Sequence, residues 1–189
     1  WSVLPFSGSV DSAMEDIGSL IDRIHATPIQ AADGRWISSD TLITAIILPL
    51  YNPDNWPLLD DLFNEIMDGD TFTAQYLADF YYGRDFNGGY EDNSTVAFSA
   101  INCLDYPRET DVEVMRRNAE RIADAAPIFG RYAGFGELAC LDWPHPPVEL
   151  PADLSAEGAD PILVLGTTGD PATPYEWAVE TAQLLPSGV

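Results

Sequence analysis

The stretch PILVLGTTGDPATPYEWAVETAQLL, residues 161–185, is the most informative part of this chain. An apolar run, residues 162–165, leads into a Gly/Thr turn that presents Asp170. Residues 173–176, Thr-Pro-Tyr-Glu, have the spacing of a capping box with Pro at the first helical position, so Thr173 is predicted to cap a helix. The pattern predicts a buried strand, a turn and a helix. Open α/β sheets place site residues at the carboxyl ends of their strands, where Asp170 stands.

Upstream of this stretch, apolar residues recur at helical spacing, and each stripe is predicted to face a core. The stripes are Met14-Ile17-Ile21-Ile24, Trp56-Leu59-Phe63-Ile66, Phe72-Tyr76-Phe80 with Leu77 and Tyr81, and Val112-Met115-Ala119-Ile122-Ala126. Capping boxes that begin at Ser12 and Thr110 are predicted to open the first and last of these helices. Residues 42–51 could form a buried strand, but their length and their Ser-Ser-Asp-Thr start favour a helix that Pro49 kinks or ends.

A proline-rich connector separates two regions of the chain. Residues 143–161, WPHPPVELPADLSAEGADP, contain five prolines and no amphipathic period. We therefore predict a helical domain over residues 1–150 and a second segment over residues 151–189. A single strand–helix unit cannot cover both faces of its strand, and parallel strands are normally covered on both sides. The remaining strands are expected to come from chain outside these 189 residues, and the start at Trp1 favours the same view.

Composition excludes several classes of partner. The chain has 31 acidic and 8 basic residues, a net charge of −23, and every basic residue is Arg. Such a surface repels phosphate backbones and anionic membranes, so no nucleic-acid partner is expected. No apolar stretch approaches the ~20 residues of a membrane span, because Pro49 interrupts the longest run, residues 42–50. No cofactor is expected either.

The two cysteines, Cys103 and Cys140, occupy similar settings, INCLDYP and ELACLDWP. Their spacing fits no C-x-x-C metal site, and two thiols with two distant histidines make a poor zinc cage. The residues by themselves leave two interpretations open. One is a disulfide, and the other is a pair of buried free thiols in a reducing compartment.

Several segments together resemble the actinobacterial secreted tripeptidyl aminopeptidases, which are serine peptidases of the α/β-hydrolase fold. The segments are TLITAIILPLYNPDNWP, LADFYYGRD, AFSAINCLDYP, LACLDWP and GTTGDPATPYEWAVETAQLL. The resemblance implies a mainly α chain, in which residues 1–150 are the helical cap of a hydrolase and residues 151–189 are one strand-turn-helix unit of its core. It also implies a bacterial protein that is secreted or exposed at the cell surface.

The same resemblance assigns roles to individual residues. Asp170 becomes the acid of a Ser-Asp-His triad, although a turn Asp that accepts backbone N–H groups is the alternative. Cys103 and Cys140 become a disulfide, and residues 188–189 begin the next strand of the sheet. The 189 residues contain no G-x-S-x-G motif and no His after Asp170, so the nucleophile and the base are expected elsewhere in a longer protein.

The implied substrate is a peptide with a free N-terminus, which needs an anion to meet its ammonium group. Glu91 and Asp105 are the candidates, with Asp79 and Asp85 as further possibilities. The implied partner is the remainder of the hydrolase core. Two other functions remain open. One is an esterase or other small-molecule hydrolase of the same fold, and the other is a non-catalytic acidic helical binding domain.

Overall fold

The computed structural model describes residues 5–149 and 153–188, and the chain divides between Pro147 and Val148 into two compact units. The helices of the first unit are α1 Val10–Ala26, α2 Ser39–Leu50, α3 Pro57–Met67, α4 Phe72–Tyr81, α5 Ser94–Asp105 and α6 Val112–Ala125, and the second unit contains α7 Tyr175–Leu184. Short 3-10 helices span Pro53–Asn55, Gly130–Tyr132 and Gly136–Cys140. In the described residues the sheet is one antiparallel pair, β1 Ile29–Gln30 and β2 Trp36–Ile37. The predicted mainly α fold is confirmed.

The core of the first unit lies between α1, α2, α3 and α4. Its fully or almost fully buried side chains include Leu20, Ile21, Ile37, Leu42, Ala45, Leu62, Phe63, Ile66 and Leu77. Residues 39–50 are helical, which confirms the helix rather than the strand for this run. Ser38 and Thr41 form a capping box, in which the Ser38 hydroxyl accepts the N–H of Thr41 at 3.2 Å. Among the described residues, no helix combines the length and the apolarity that crossing a bilayer requires.

The predicted inward orientation of the α4 stripe is right for Leu77 and wrong for its aromatic residues. Phe72, Tyr76 and Phe80 are 66%, 42% and 64% exposed, whereas the buried face of α4 consists of Thr73, Ala74, Leu77 and Ala78. This face packs against α2, and its small side chains allow the two backbones to approach closely. The stripe on α6 is likewise only partly buried, because Met115 is covered while Val112 and Ile122 are 48% and 40% exposed.

The three predicted capping boxes are also wrong, since each helix begins at a different residue. Ser9 caps α1, and the Ser12 hydroxyl donates instead to the carbonyl of Ser9 at 2.9 Å. Asp111 caps α6 by accepting the N–H of Glu113 at 2.8 Å. Thr173 does not cap α7, which has no side-chain cap. In α1 and α6 the capping hydrogen bond is therefore accepted by a polar side chain at a residue other than the predicted one.

An ion-pair network joins the β hairpin to α4. The guanidinium of Arg35 donates two hydrogen bonds to the carboxylate of Asp79, at 2.7 and 2.6 Å. Its Nε also pairs with Asp33 at 2.7 Å, and Arg84 approaches Asp79 at 3.6 Å. The Asp79 carboxylate raises the pKa of Arg35, with a smaller contribution from Asp33. Because Asp79 already has two guanidinium partners, it is not a free anion for a substrate ammonium group.

A disulfide closes the last part of the first unit. The sulfur atoms of Cys103 in α5 and Cys140 in the 3-10 helix Gly136–Cys140 are bonded, with the Cα atoms 5.3 Å apart. Arg108 reinforces the same junction by donating to the carbonyls of Cys140 and Trp143 at 3.2 and 2.9 Å. Helix α5 was not predicted from the sequence, and its apolar residues Val96, Phe98 and Ile101 are exposed. The disulfide and Arg108 therefore fix a helix that has little burial of its own.

We predict that reducing the disulfide destabilises the first unit by up to about 4 kcal/mol, the loop-closure contribution of a cross-link across a separation of 37 residues. Urea unfolding with and without reductant measures the difference. The Cys103→Ser variant is the control, because its stability should not respond to reductant. Alkylation of two thiols in the native, unreduced protein, detected by mass spectrometry, would contradict the pairing.

We also predict that Leu77→Ala costs about 2–5 kcal/mol of unfolding free energy, because it leaves a cavity between α4 and the core. Phe80→Ala on the same helix should change the unfolding free energy by less than about 0.5 kcal/mol, as its ring is exposed. Chemical denaturation of both variants checks the orientation of α4. Equal losses in the two variants would show that the aromatic face is buried.

Candidate functional site

The Asp170 loop lies between the apolar segment 162–165 and α7 in the second unit. Ile162 forms one parallel bridge with Gly188, and its N–H donates to the carbonyl of Ser187 at 2.9 Å. Beyond this bridge the predicted buried strand does not form in the described residues, and Leu163 and Leu165 are 68% and 81% exposed. A strand needs a hydrogen-bonded neighbour along its length, and here only one end has one. The bridge agrees with a second strand after α7, although Val189 of the predicted strand lies outside the described residues.

Two glycines give the loop its shape. A Cβ atom on Gly166 would lie 2.6 Å from the Cβ of Ala178, so only glycine lets the end of the apolar segment approach α7. Gly169 has φ +78°, a left-handed conformation that glycine adopts without strain. Asp170 follows directly and is half-buried. The Gly-Thr-Thr-Gly sequence thus positions the carboxylate through the backbone.

Three donors within the loop hold the Asp170 carboxylate. Its Oδ1 accepts the N–H groups of Ala172 and Thr173 at 2.8 and 3.0 Å. Its Oδ2 accepts the hydroxyl of Thr173 at 2.7 Å. Hydrogen bonds from the N–H and then the hydroxyl of Thr173, followed by the N–H of Ala172, lower the pKa of Asp170 below its ordinary value. The side chain is therefore an anion at neutral pH.

This arrangement leaves Asp170 able to accept one further hydrogen bond. A carboxylate has about four acceptor positions on its two oxygens, and the loop occupies three of them. The remaining position suits an N–H donor such as an imidazole, which a negative charge stabilises in the protonated form. The sequence predicts Thr173 as a helix cap, whereas in the structure Thr173 donates hydrogen bonds to the Asp170 carboxylate. Its spacing of three residues from Asp170 was the available signal.

The other predicted site residues lie in the first unit. The carboxylates of Glu91 and Asp105 are exposed and have no hydrogen bond or ion pair within the described part of the chain. Asp85 differs, because its Oδ1 accepts the N–H groups of Asn87 and Gly89, each at 2.8 Å. Asp85 thus organises its own loop, while Glu91 and Asp105 keep their charge open to solvent.

A shallow cavity of about 410 Å³ opens elsewhere in the first unit. Buried Leu20, Ile24 and Ile66 contribute to its lining, and Arg23 and Met67 also line it. The lining contains none of the residues predicted to bind substrate. The cavity therefore adds no support to the choice between Glu91 and Asp105.

Comparison with known proteins shows what this chain is similar to. Residues 126–189 match the family model described as TAP-like protein. The chain is 37% identical over 193 residues to serine protease Hip1 of Mycobacterium tuberculosis, a match that covers 96% of this chain and 36% of that protein. It is 33% identical over 171 residues to carboxylesterase B of the same species, covering 88% of this chain and 33% of the relative.

A third relative, tripeptidyl aminopeptidase of Streptomyces lividans, is 24% identical over 134 residues, which cover 70% of this chain and 25% of that protein. The chain is therefore related to the actinobacterial α/β-hydrolases. Within that class, its C-terminal part, which includes Asp170, is a TAP-like segment, and the resemblance drawn from the sequence is confirmed. The chain spans about a third of the length of the two mycobacterial relatives.

We predict that Thr173→Val raises the pKa of Asp170 toward its ordinary value, because the substitution removes the hydroxyl donor to Oδ2. The lowered pKa in the native loop stabilises the folded loop above the pKa of an unfolded Asp, and this stabilisation is lost as pH falls through the folded pKa. NMR titration of the carboxyl carbon measures the change. Asp153, whose pKa is lowered by the hydroxyl and N–H of Ser155, is the internal control and should not move. An unchanged Asp170 midpoint would contradict the hydroxyl contact.

Proposed function

We propose that this chain is the cap and the acid-bearing segment of a serine hydrolase. We further propose that the complete enzyme is a peptidase that releases short peptides, such as tripeptides, from free N-termini. The observation that carries the proposal is the Asp170 carboxylate, held ionised by Ala172 and Thr173 within a TAP-like segment, with one acceptor position open. The serine protease and the aminopeptidase among the relatives support the choice of a peptide substrate.

In this proposal Asp170 orients a histidine and stabilises its charge. The carboxylate accepts the Nδ1–H of the imidazole, fixes the tautomer whose Nε2 takes the proton of the serine hydroxyl, and stabilises the imidazolium that forms. Asp170 itself stays deprotonated throughout. The serine nucleophile, the histidine and the oxyanion hole come from the remainder of the hydrolase core, which is the partner of this segment. The 189 residues alone should therefore not turn over a substrate.

In this proposal the first unit is the helical cap, and it supplies the groups that bind the substrate. Glu91 and Asp105 are the proposed anions for the free ammonium group, since both carboxylates are exposed and have no partner among the described residues. A disulfide between Cys103 and Cys140 persists in an oxidising compartment. It supports the proposal that the protein is secreted or exposed at the bacterial cell surface.

An esterase is the second candidate. The mycobacterial relative named carboxylesterase B is 33% identical across 88% of this chain, close to the identity shared with the serine protease. The same acid, base and nucleophile can hydrolyse either bond, and the fold does not fix the substrate. Measuring both activities in one enzyme distinguishes the candidates.

We predict that Asp170→Asn, in the complete protein that contains these residues, lowers kcat about 10⁴-fold while the melting temperature changes little. The amide has almost the same shape, but it favours the wrong imidazole tautomer and offers no charge to the imidazolium. A tripeptide p-nitroanilide and a p-nitrophenyl ester report peptidase and esterase turnover separately.

Asp153→Asn is the matched control, because Asp153 is also a turn carboxylate with a lowered pKa in the same unit. This control should keep the wild-type kcat. Near-normal turnover by the Asp170→Asn variant would show that Asp170 is not the acid of the triad. Hydrolysis of the ester but not of the peptide would show that the enzyme is an esterase rather than a peptidase.

A further inference from the structure

Helix α4 presents a row of aromatic rings to solvent. Phe72, Tyr76 and Phe80, here called the aromatic ladder, are 66%, 42% and 64% exposed. The ring centroids of Phe72 and Tyr76 are 6.3 Å apart with an interplanar angle of 7°, and those of Tyr76 and Phe80 are also 6.3 Å apart. Three neighbouring exposed aromatic side chains on one helix face are typical of an interaction surface. The opposite face of α4 already packs against the core, so the ladder has no role in that packing.

The charges around the aromatic ladder favour a cation. Near its first ring, Asp70 accepts the N–H of Phe72 and Glu65 accepts the N–H of Thr73, each at 3.0 Å. Asp79, which precedes Phe80 in α4, belongs to the network with Arg35, Arg84 and Asp33, and its two positive and two negative charges cancel. The ladder therefore lies beside uncompensated carboxylates in a chain of net charge −23. This charge opposes a nucleic-acid strand, although bases also stack on exposed rings.

The spacing of the rings matches an extended polypeptide. Side chains on one face of a strand are two residues apart, or about 6.6 Å, because each residue rises about 3.3 Å. The ring centroids of the ladder repeat every 6.3 Å. Arg and Lys side chains are attracted to the faces of aromatic rings, and Arg does so most often. One basic side chain of an extended peptide can thus meet each ring of the ladder.

We propose that the aromatic ladder binds an extended peptide that carries Arg or Lys at alternate positions. Each basic side chain lies on one ring, and the carboxylates of Glu65 and Asp70 attract the charge of the peptide. Binding of this kind needs no catalytic residue. It can therefore be tested on the purified chain, independently of the proposed hydrolysis.

The test measures binding of a rhodamine-labelled octapeptide of alternating Arg and Ser by fluorescence anisotropy. Two comparison peptides have the same length, one with the four Arg residues in a single block and one with Glu in place of Arg. We expect the alternating Arg peptide to bind most tightly, the block peptide less tightly and the Glu peptide not at all. Added salt should weaken binding, since the carboxylates contribute.

Variants of the ladder assign the binding to the rings. Tyr76→Ala should weaken binding about two- to five-fold, the effect of one exposed cation–π contact. Tyr76→Phe keeps the ring and should bind like the native chain. Phe98→Ala is the matched control, because Phe98 is 70% exposed on α5 and lies outside the ladder. It should leave binding unchanged.

Four results would overturn the proposal. The first is no binding of the alternating peptide, and the second is equal binding of the block peptide. The third is an equal loss of affinity in Tyr76→Ala and Phe98→Ala. The fourth is a different occupant, seen as an oligothymidylate that binds through Tyr76, or as a dimer of the chain that Tyr76→Ala converts to a monomer.

Discussion

The first unit depends on the close packing of α4 against α2. Ala45 on α2 and Ala74 and Ala78 on α4 are almost fully buried, and these side chains are short enough to bring the two helices together. Leu77 then reaches the common core with Leu42 and Leu62. Because the small side chains face inward, the large aromatic rings of α4 must face solvent. The same orientation of α4 places Asp79 beside the β hairpin, where Arg35 donates two hydrogen bonds to it.

The second unit depends on a different constraint, which is the shape of the backbone around Asp170. Gly166 permits close contact with α7, and Gly169 supplies the left-handed residue before the acid. The acid then accepts two backbone N–H groups and the hydroxyl of Thr173. The carboxylate is thus oriented by local contacts alone, and its position in the loop does not require a complete sheet. This local orientation is compatible with the role proposed for Asp170.

The few basic residues and the many acidic residues of this chain have different structural roles. Of the eight arginines, Arg35 and Arg84 pair with Asp79, Arg131 pairs with Asp22, and Arg108 binds backbone carbonyls beside the disulfide. Arg35, Arg108 and Arg131 thereby join segments that are distant in the sequence. Most acids instead stay at the surface, which leaves the chain strongly negative. Exposed ion pairs contribute little stability each, so their main effect is on which segments meet.

Features that depend on residues close together in the chain could be predicted from the amino-acid sequence. The helix at residues 39–50 followed from the length of the run and its Ser-Ser-Asp-Thr start, and the Asp170 turn followed from the Gly and Thr positions. The GDPATP element carried the family resemblance. Which face of each helix is buried depends on how the helices pack against one another. On α4 the hydrophobic pattern predicted an inward Phe72-Tyr76-Phe80 stripe, but packing chose the smaller face because it fits closer to α2. The strand at residues 162–165 shows the same limit, because strand pairing depends on neighbours that a linear pattern does not contain.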